Sequence, residues 1–180
     1  MDRSPSYILS TRRLTLRRWV DSDVEPFVRM NQDPEVMRYF PRPNTAAETM
    51  AFITRINTFF DEYGYGLFAL ELKATGEFIG YTGFVKPRFE SWFTPCTEIG
   101  WRLKRDAWGQ GYATEAAKAC LDYGFSQLGM QKIYSWTALS NTPSERVMQK
   151  IGMEQAGEFD HPMIEAGHPL RRHVLYVLEK

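Results

Sequence analysis

The feature that most constrains this sequence is a glycine turn between a strand pattern and a helix pattern, within the stretch LKRDAWGQGYATEA. Alternating side chains in residues 97–104 predict a strand, and apolar residues at helical spacing in residues 111–130 predict a long helix. Gly109 and Gly111 lie between the two. The first N–H groups of a helix have no partner within it, and glycines let an anion approach them closely. The turn is therefore built like a phosphate site, although a tight strand-to-helix connection would need the same glycines.

Two common phosphate-binding motifs do not fit this turn. A P-loop needs Gly-Lys-Ser or Gly-Lys-Thr at the entry to the helix, and the sequence reads Gly-Tyr-Ala there. The dinucleotide-binding fingerprint needs a third glycine at the position of Thr114. The spacing therefore excludes both motifs and leaves the ligand of the turn open.

Hydrophobic period and capping signals predict the elements before the glycine turn. Leu14 and Leu16 lie on one face of a first strand, and polar side chains including Arg17 lie on the other. Two helices follow, each with Ser or Thr and Glu at capping-box spacing. These capping pairs are Ser22 with Glu25, and Thr45 with Glu48.

The remaining patterns complete one α/β domain. A hairpin turns at residues 74–77, and beyond the long helix come a strand, a helix with a capping box at Thr142 and Glu145, and a closing strand. The order β-α-α-β-β-β-α-β-α-β predicts a mixed sheet with helices packed on it, an α+β arrangement. With 180 residues and 43% hydrophobic content, we expect a single domain over residues 1–180.

Composition removes several classes of function. The 22 basic and 22 acidic residues balance, so no global field favours nucleic acid. No apolar stretch approaches the length of a membrane span, and two cysteines are too few for a disulfide framework. The histidines, at 161, 168 and 173, lack metal-ligand spacing. We expect a cytoplasmic protein without metal, membrane or nucleic-acid partners, and with Cys120 as a core residue.

The stretch WGQGYATEA, with EIGWRL before it and an Asn, a Ser, a Val and KIGM after it, resembles the GNAT N-acetyltransferase superfamily. The superfamily pattern is Gln/Arg-x-x-Gly-x-Gly/Ala, and Trp108 stands where Gln or Arg is usual. That departure is similar to the RimJ/RimL-like branch, the ribosomal-protein N-terminal acetyltransferases. The resemblance implies the GNAT acyl-CoA N-acyltransferase fold, a central mixed sheet splayed at the cofactor site with helices on both faces.

The resemblance also implies acetyl-CoA as the donor, and it assigns residues to it. The backbone of Leu103 would pair with the pantetheine arm as an added strand does. Backbone N–H groups of the glycine turn would hold the pyrophosphate, and the Asn141 side chain would meet the pantetheine. The residues so assigned are Leu103, Trp108, Gly109, Gln110, Gly111, Tyr112, Ala113, Thr114 and Asn141. Capping alone accounts for Thr142 and Glu145 but does not require Asn141.

Two candidate catalytic residues follow from the same resemblance. Glu98 begins the strand EIGWRL on the acceptor side and is the candidate base, with a surface carboxylate on an edge strand as the alternative. Many family members carry a Tyr seven residues after the Asn as a general acid, but this chain has Met148 there. Ser144 is the candidate acid in this branch, against a plain solvent-facing helix residue.

The acceptor is a primary amine by resemblance, either a protein N-terminus or a small molecule such as an antibiotic. Aromatic residues near 39–40 and 63–65 and acidic residues near 158–165 are candidates for its lining, although core packing is the better interpretation of Phe40. A domain that binds CoA without turnover is the rival from another class, because Met148 has no proton to donate. Homodimers are common among such enzymes.

Overall fold

The computed structural model describes residues 7–180 of the chain. The helices are α1 (Val24–Gln32), α2 (Ala46–Tyr63), α3 (Tyr112–Ser126) and α4 (Thr142–Lys150). The strands are β1 (Tyr7–Ser10), β2 (Leu14–Arg17), β3 (Leu67–Leu72), β4 (Phe78–Val85), β5 (Glu98–Leu103), β6 (Lys132–Ala138), β7 (Glu154–Asp160) and β8 (Arg172–Glu179). The single-domain prediction also covers residues 1–6, which lie outside the described residues, and it stays a prediction.

The eight strands form one mixed sheet in the order β1-β2-β3-β4-β5-β6-β8-β7. Neighbouring strands run antiparallel except β5 and β6, which run parallel. A parallel pair needs a crossover, and α3 supplies it between these two strands. The predicted mixed α/β sheet is confirmed, and its parallel pair brings the ends of β5 and β6 to the same edge.

The helices cover both faces of the sheet. On one face Tyr81 of β4 packs against Phe27 of α1 and Phe52 of α2, with ring centroids 5.8 Å apart in each pair. On the other face Phe84 of β4 meets α3 so closely that a Cβ on Gly124 would lie 2.8 Å from the ring. We call the first the α1–α2 face and the second the α3–α4 face.

Two strands are absent from the predicted order. β1 is only four residues long, and β7 exposes most of its side chains, with Phe159 its buried apolar residue. Neither carries the alternation on which a strand prediction depends. Both lie at the outer edges of the sheet, so their omission leaves the central strands unchanged.

The predicted helix starts are only partly correct. Thr45 and Glu48 form the capping box of α2, as predicted. The pair Ser22 and Glu25 is wrong as a cap, because a 3₁₀ turn at Asp21–Asp23 precedes α1 and the Asp23 carboxylate accepts the Val20 N–H at 3.0 Å.

The first predicted strand is confirmed as β2, with one exception on its outer face. Leu14 and Leu16 are fully buried. Arg17, expected among the outward side chains, is also buried, and its guanidinium lies 2.7 Å from both Asp23 and Glu71. The chain that follows β2 packs over the Arg17 side chain. The carboxylates of Asp23 and Glu71 neutralise the charge of the buried guanidinium.

Among residues 7–180, no helix is both long and apolar enough to cross a lipid bilayer. Within the same part of the chain, no group of three or more His, Cys, Asp or Glu side chains is placed to hold a metal ion. Cys120 is fully buried in α3, where burial raises the pKa of its thiol, as expected of a core cysteine.

Candidate active site

The site lies where β5 and β6 separate. Glu98 and Tyr134 are the one pair in register between these strands, and the Ser135 hydroxyl donates to the Ile99 carbonyl just beyond it. No pairing with β6 extends over residues 100–103 in the described structure. The parallel strands therefore open a slot toward their carboxyl ends, the usual place for a ligand in an α/β sheet.

The backbone of β5 presents alternate peptide groups to this slot. Lys104 donates its N–H to the Ile79 carbonyl of β4. Because backbone groups alternate along a strand, the N–H and C=O groups of the even-numbered residues of β5 point to β4, and those of the odd-numbered residues point to β6. Trp101 and Leu103 therefore turn their backbone groups toward the slot. The Leu103 carbonyl accepts the indole N–H of Trp108 at 2.9 Å. The Leu103 N–H is left facing the space between the strands.

Gly109 and Gly111 shape the entrance to α3. Their φ angles are 72° and 81°, in the left-handed region that suits glycine. A side chain at Gly109 would meet no atom within 4 Å, so the space beside it is open. Within the described residues, the backbone N–H groups of residues 109–114 have no hydrogen-bond partner. The turn therefore presents six unpaired donors and the positive end of the α3 dipole beside an open surface.

Arg13 lies beside this turn, in an ion pair with Glu115. Its guanidinium lies 4.4 Å from the ring of Tyr112 and 3.5 Å from the position of a Cβ on Gly111. Glu115 holds it, with Arg13 Nε donating to the carboxylate at 2.7 Å, and the same carboxylate accepts from Thr11. Arg13 was not predicted from the sequence, because its contact with α3 joins residues about a hundred positions apart.

Two basic residues lie between β5 and the turn, in different surroundings. Lys104 forms an ion pair with Glu77, which neutralises its charge, while Arg105 is exposed. Trp108, 40% exposed, lies 5.8 Å from the Arg38 guanidinium. The residues after α1 thus approach the glycine turn from the α1–α2 face.

Glu98 lies on the α1–α2 face, at the point where the strands part. A Cβ on Gly100 would meet only Glu98 Oε1, at 3.7 Å, so Glu98 and Gly100 share a face, as predicted, and the space over Gly100 is open. Burial raises the pKa of Glu98 from 4.5 to about 8. A carboxyl with this pKa, beside an open space, is poised to take up and release protons near neutral pH.

The start of α4 lies beside the slot on the α3–α4 face, because α4 follows the carboxyl end of β6. The predicted cap at Thr142 is wrong: Asn141 is the N-cap, and its Oδ1 accepts the Ser144 N–H at 3.3 Å. Asn141 Nδ2 also donates to Thr137 Oγ1 at 2.7 Å. Capping therefore accounts for Asn141, contrary to the sequence interpretation.

The two candidates for the general acid lie in different surroundings on α4. The side chain of Met148, at the usual Tyr position, is 1% exposed and belongs to the core. Ser144 is partly buried, and its hydroxyl has no hydrogen-bond partner among the described residues. Ser144 thus has a free hydroxyl proton in the first turn of α4.

Three residues considered for the acceptor side differ from expectation. Phe40 is not a core residue: it is 41% exposed and lies 4.1 Å from the guanidinium of Arg102. Glu158 and Asp160, considered for attraction of a cation, both bind Arg172. Arg102 itself was not foreseen, because residues distant in the sequence surround it.

A sheet splayed at one parallel pair, with unpaired amides at the helix that follows, defines a CoA-type acyltransferase scaffold. Residues 13–154 match the family described as Acetyltransferase (GNAT) domain. The chain belongs to the GNAT acetyltransferase family. It is 33% identical over 151 residues to the N-acetyltransferase p20 of Bacillus licheniformis, across 83% of each chain.

Solved structures are similar over almost the whole chain. A GNAT-family acetyltransferase from Bacillus anthracis has a TM-score of 0.78 and 27% identity, with 97% of this chain and 98% of that chain covered. RimJ of Mycobacterium smegmatis, solved with CoA-disulfide, has a TM-score of 0.76 and 19% identity, with 97% and 88% covered. At that identity the second likeness shows the shared fold alone.

Proposed function

We propose that this protein transfers an acetyl group from acetyl-CoA directly to a primary amine, and that the slot between β5 and β6 holds the donor. The diphosphate would lie on the N–H groups of residues 109–114, beside Arg13. The pantetheine would follow β5 and accept the Leu103 N–H, with Trp108 fixing the adjoining carbonyl. The observation that carries the proposal is the set of six unpaired amides at the mouth of α3. The CoA-disulfide bound to the RimJ relative supports it.

Asn141 has a supporting part in this proposal. Its side chain is used within the protein by Thr137 and by the Ser144 N–H. It therefore fixes the start of α4 at the wall of the slot. Contact with the pantetheine would have to come from its backbone or from a rearranged amide.

The chemistry needs a neutral amine and a place for its proton. An α-amino group with a pKa of about 7.7–8.0 is roughly one-tenth neutral at pH 7, and a lysine side chain far less. Glu98, on the acceptor face at the opening of the slot, would take the proton directly or through water. A pKa of about 8 suits this role, because the carboxylate form then binds a proton readily and releases it near neutral pH.

The amine nitrogen would attack the thioester carbonyl and give a tetrahedral intermediate with charge on oxygen. Backbone N–H groups of β5 that face the slot would stabilise that charge, and one good donor of this kind contributes about 2.7–4 kcal/mol. Collapse of the intermediate breaks the carbon–sulfur bond and releases CoA as a thiolate. Ser144 would supply its proton, although a thiol with a pKa of about 8.5 also leaves readily without one.

Thiol release in the presence of acetyl-CoA and a panel of amines tests the proposal. The panel includes peptides with free N-termini, as acceptors of the RimJ/RimL-like branch would require, and small amines. We expect CoA release that depends on an amine and a matching mass increase of 42 Da, one acetyl group, on the product. Tight CoA binding with no turnover on any amine would instead support the non-catalytic CoA-binding alternative.

A further inference from the structure

Arg102 is a partly buried cation that no carboxylate within the described part of the chain neutralises. It forms no ion pair with any acidic side chain in residues 7–180. Its Nε atom is buried and has no hydrogen-bond partner in the same part of the chain. The other enclosed arginine, Arg17, has two carboxylates. A buried charge without a counter-charge is costly, so the surroundings of Arg102 are incomplete as they stand.

The neighbours of Arg102 hold its guanidinium in one position. Arg102 Nη1 donates to Asn31 Oδ1 at 2.7 Å, and the fully buried Asn31 donates in turn to Thr49 Oγ1 at 3.2 Å. The ring of Phe40 lies 4.1 Å from the guanidinium carbon and that of Tyr81 5.6 Å from it. These contacts occupy one N–H and the faces of the guanidinium, and the other N–H groups have no partner among residues 7–180.

Arg102 shares its face of β5 with Gly100 and Glu98. Alternate residues of a strand lie about 7 Å apart, so Arg102 and Glu98 flank Gly100 on the same face of β5, with Glu98 Oε1 3.7 Å from the position of a Cβ on Gly100. Tyr81 is close enough to feel both charges: Arg102 lowers its pKa and Glu98 raises it, within a net rise that burial causes. The two groups form no ion pair with each other, so β5 carries a proton acceptor on one side of Gly100 and a fixed cation on the other.

We infer that the acceptor is a primary amine that also carries a carboxylate, and that Arg102 binds this carboxylate while the amine lies over Gly100 beside Glu98. The inference rests on the proposed acetyl transfer and names its class of substrate. The carboxylate would supply the counter-charge that Arg102 lacks and would accept from its unused N–H groups, an arrangement for which the planar guanidinium is well suited. Arg102 is then a specificity-determining residue of the acceptor site.

The same geometry disfavours two other ligands for Arg102. The CoA phosphates belong at the mouth of α3, and Arg102 points to the opposite face of β5 from the buried Leu103 side chain. A polyamine would bring further positive charge against the guanidinium, which like charges at close range oppose. An amide, as in the first residue of a protein, offers only a neutral carbonyl.

Matched acceptors test this inference. Each series contains an amino acid, its amide and its decarboxylated amine: phenylalanine, phenylalaninamide and phenethylamine, and likewise for tyrosine and lysine, with spermidine as the polyamine. The wild type and the variants Arg102→Met and Arg102→Lys are assayed for kcat/KM. Arg55→Met is the control, since Arg55 is an exposed arginine that lies 5.4 Å from the ring of Phe52.

We expect Arg102→Met to lower kcat/KM for the free acids about tenfold or more, the contribution of a charge-assisted hydrogen bond. The amides, the decarboxylated amines and the KM for acetyl-CoA should change less than about twofold, and Arg102→Lys should restore part of the loss. Because each ratio compares two proteins on the same amine, differences in amine basicity cancel. The Arg55→Met control should match the wild type on every acceptor.

An equal loss on all acceptors, or a wild-type preference for the amides, the decarboxylated amines or spermidine, overturns the inference. If Arg102→Met does not fold, the ratio of Arg102→Lys to wild type on each acceptor decides it: a larger loss on the acids than on the amides and decarboxylated amines supports the inference, and equal losses overturn it. If the protein acetylates acceptors with and without a carboxylate equally well, the inference about Arg102 fails but the proposed acetyl transfer is still supported. Absence of both CoA binding and turnover would instead remove the proposed function itself.

Discussion

Replacement of Glu98 by glutamine should change how the stability of this protein depends on pH. The pKa of Glu98 rises from 4.5 to about 8 on folding because burial disfavours the charged form. The folded state therefore holds this proton more tightly than the unfolded chain does. The stabilisation is complete below pH 4.5 and is lost as the pH rises toward 8.

The size of the effect follows from the two pKa values. Between pH 5.5 and 9, a full shift would remove about 3 kcal/mol from the free energy of unfolding. The Glu98 side chain is only partly buried, so water reduces the penalty, and we expect about 1.5–3 kcal/mol. The Glu98→Gln variant has a neutral side chain of the same shape and should not lose this stability as the pH rises.

Urea unfolding at pH 5.5, 7 and 9 measures the difference. The free-energy gap between Glu98→Gln and the wild type should grow in favour of the variant with increasing pH, while Glu154→Gln, at an exposed position of β7, should follow the wild type. Parallel pH curves for Glu98→Gln and the wild type would refute the assignment of a raised pKa to Glu98, and with it the reason for choosing this group as the base.

The remaining predictions concern three side chains. Arg17→Met should lower the free energy of unfolding by about 3–5 kcal/mol in urea titrations, since it strands the buried Asp23, whereas Arg29→Met in an exposed pair should cost under about 1 kcal/mol. Asn141→Ala should cost about 1 kcal/mol through loss of the α4 cap, and a smaller loss would contradict its capping role. Ser144→Ala should lower kcat by well under the ~100-fold of a required general acid and leave CoA affinity intact; a larger fall would make Ser144 essential.

The central part of the fold could be predicted because its signals are local. The alternation in β5, the glycine turn and the small-residue side of α3 lie within about thirty consecutive residues, and each determines its own structure. β7 escaped prediction for the opposite reason: its place at the sheet edge comes from pairing with β8, and its own residues are mostly exposed. The hydrophobic pattern of a short segment does not show which distant strand it pairs with.

The residues of the candidate site also fall into two groups, those that are close together in the sequence and those that only the fold brings together. Glu98 and the residues of the glycine turn belong to one continuous segment, and their common location follows from the strand, the turn and the helix. Arg102 and Asn31 are 71 positions apart, and Arg13 and Glu115 are 102 apart. Only the packed sheet brings these pairs together, so the sequence alone indicates neither Arg102 on the α1–α2 face nor Arg13 beside the turn.

Titration of CoA into wild-type protein and two glycine variants measures the role of the α3 mouth most directly. Gly111→Asp would place a carboxylate against the bound diphosphate, and repulsion at about 4 Å costs roughly 1–4 kcal/mol at the dielectric constants of a protein surface. Gly129→Asp carries the same change at a similar φ of 67°, in open space beyond α3. We predict wild-type affinity for Gly129→Asp and at least about tenfold weaker binding for folded Gly111→Asp. Equal affinities for the two variants would contradict the assignment of the diphosphate to these amides.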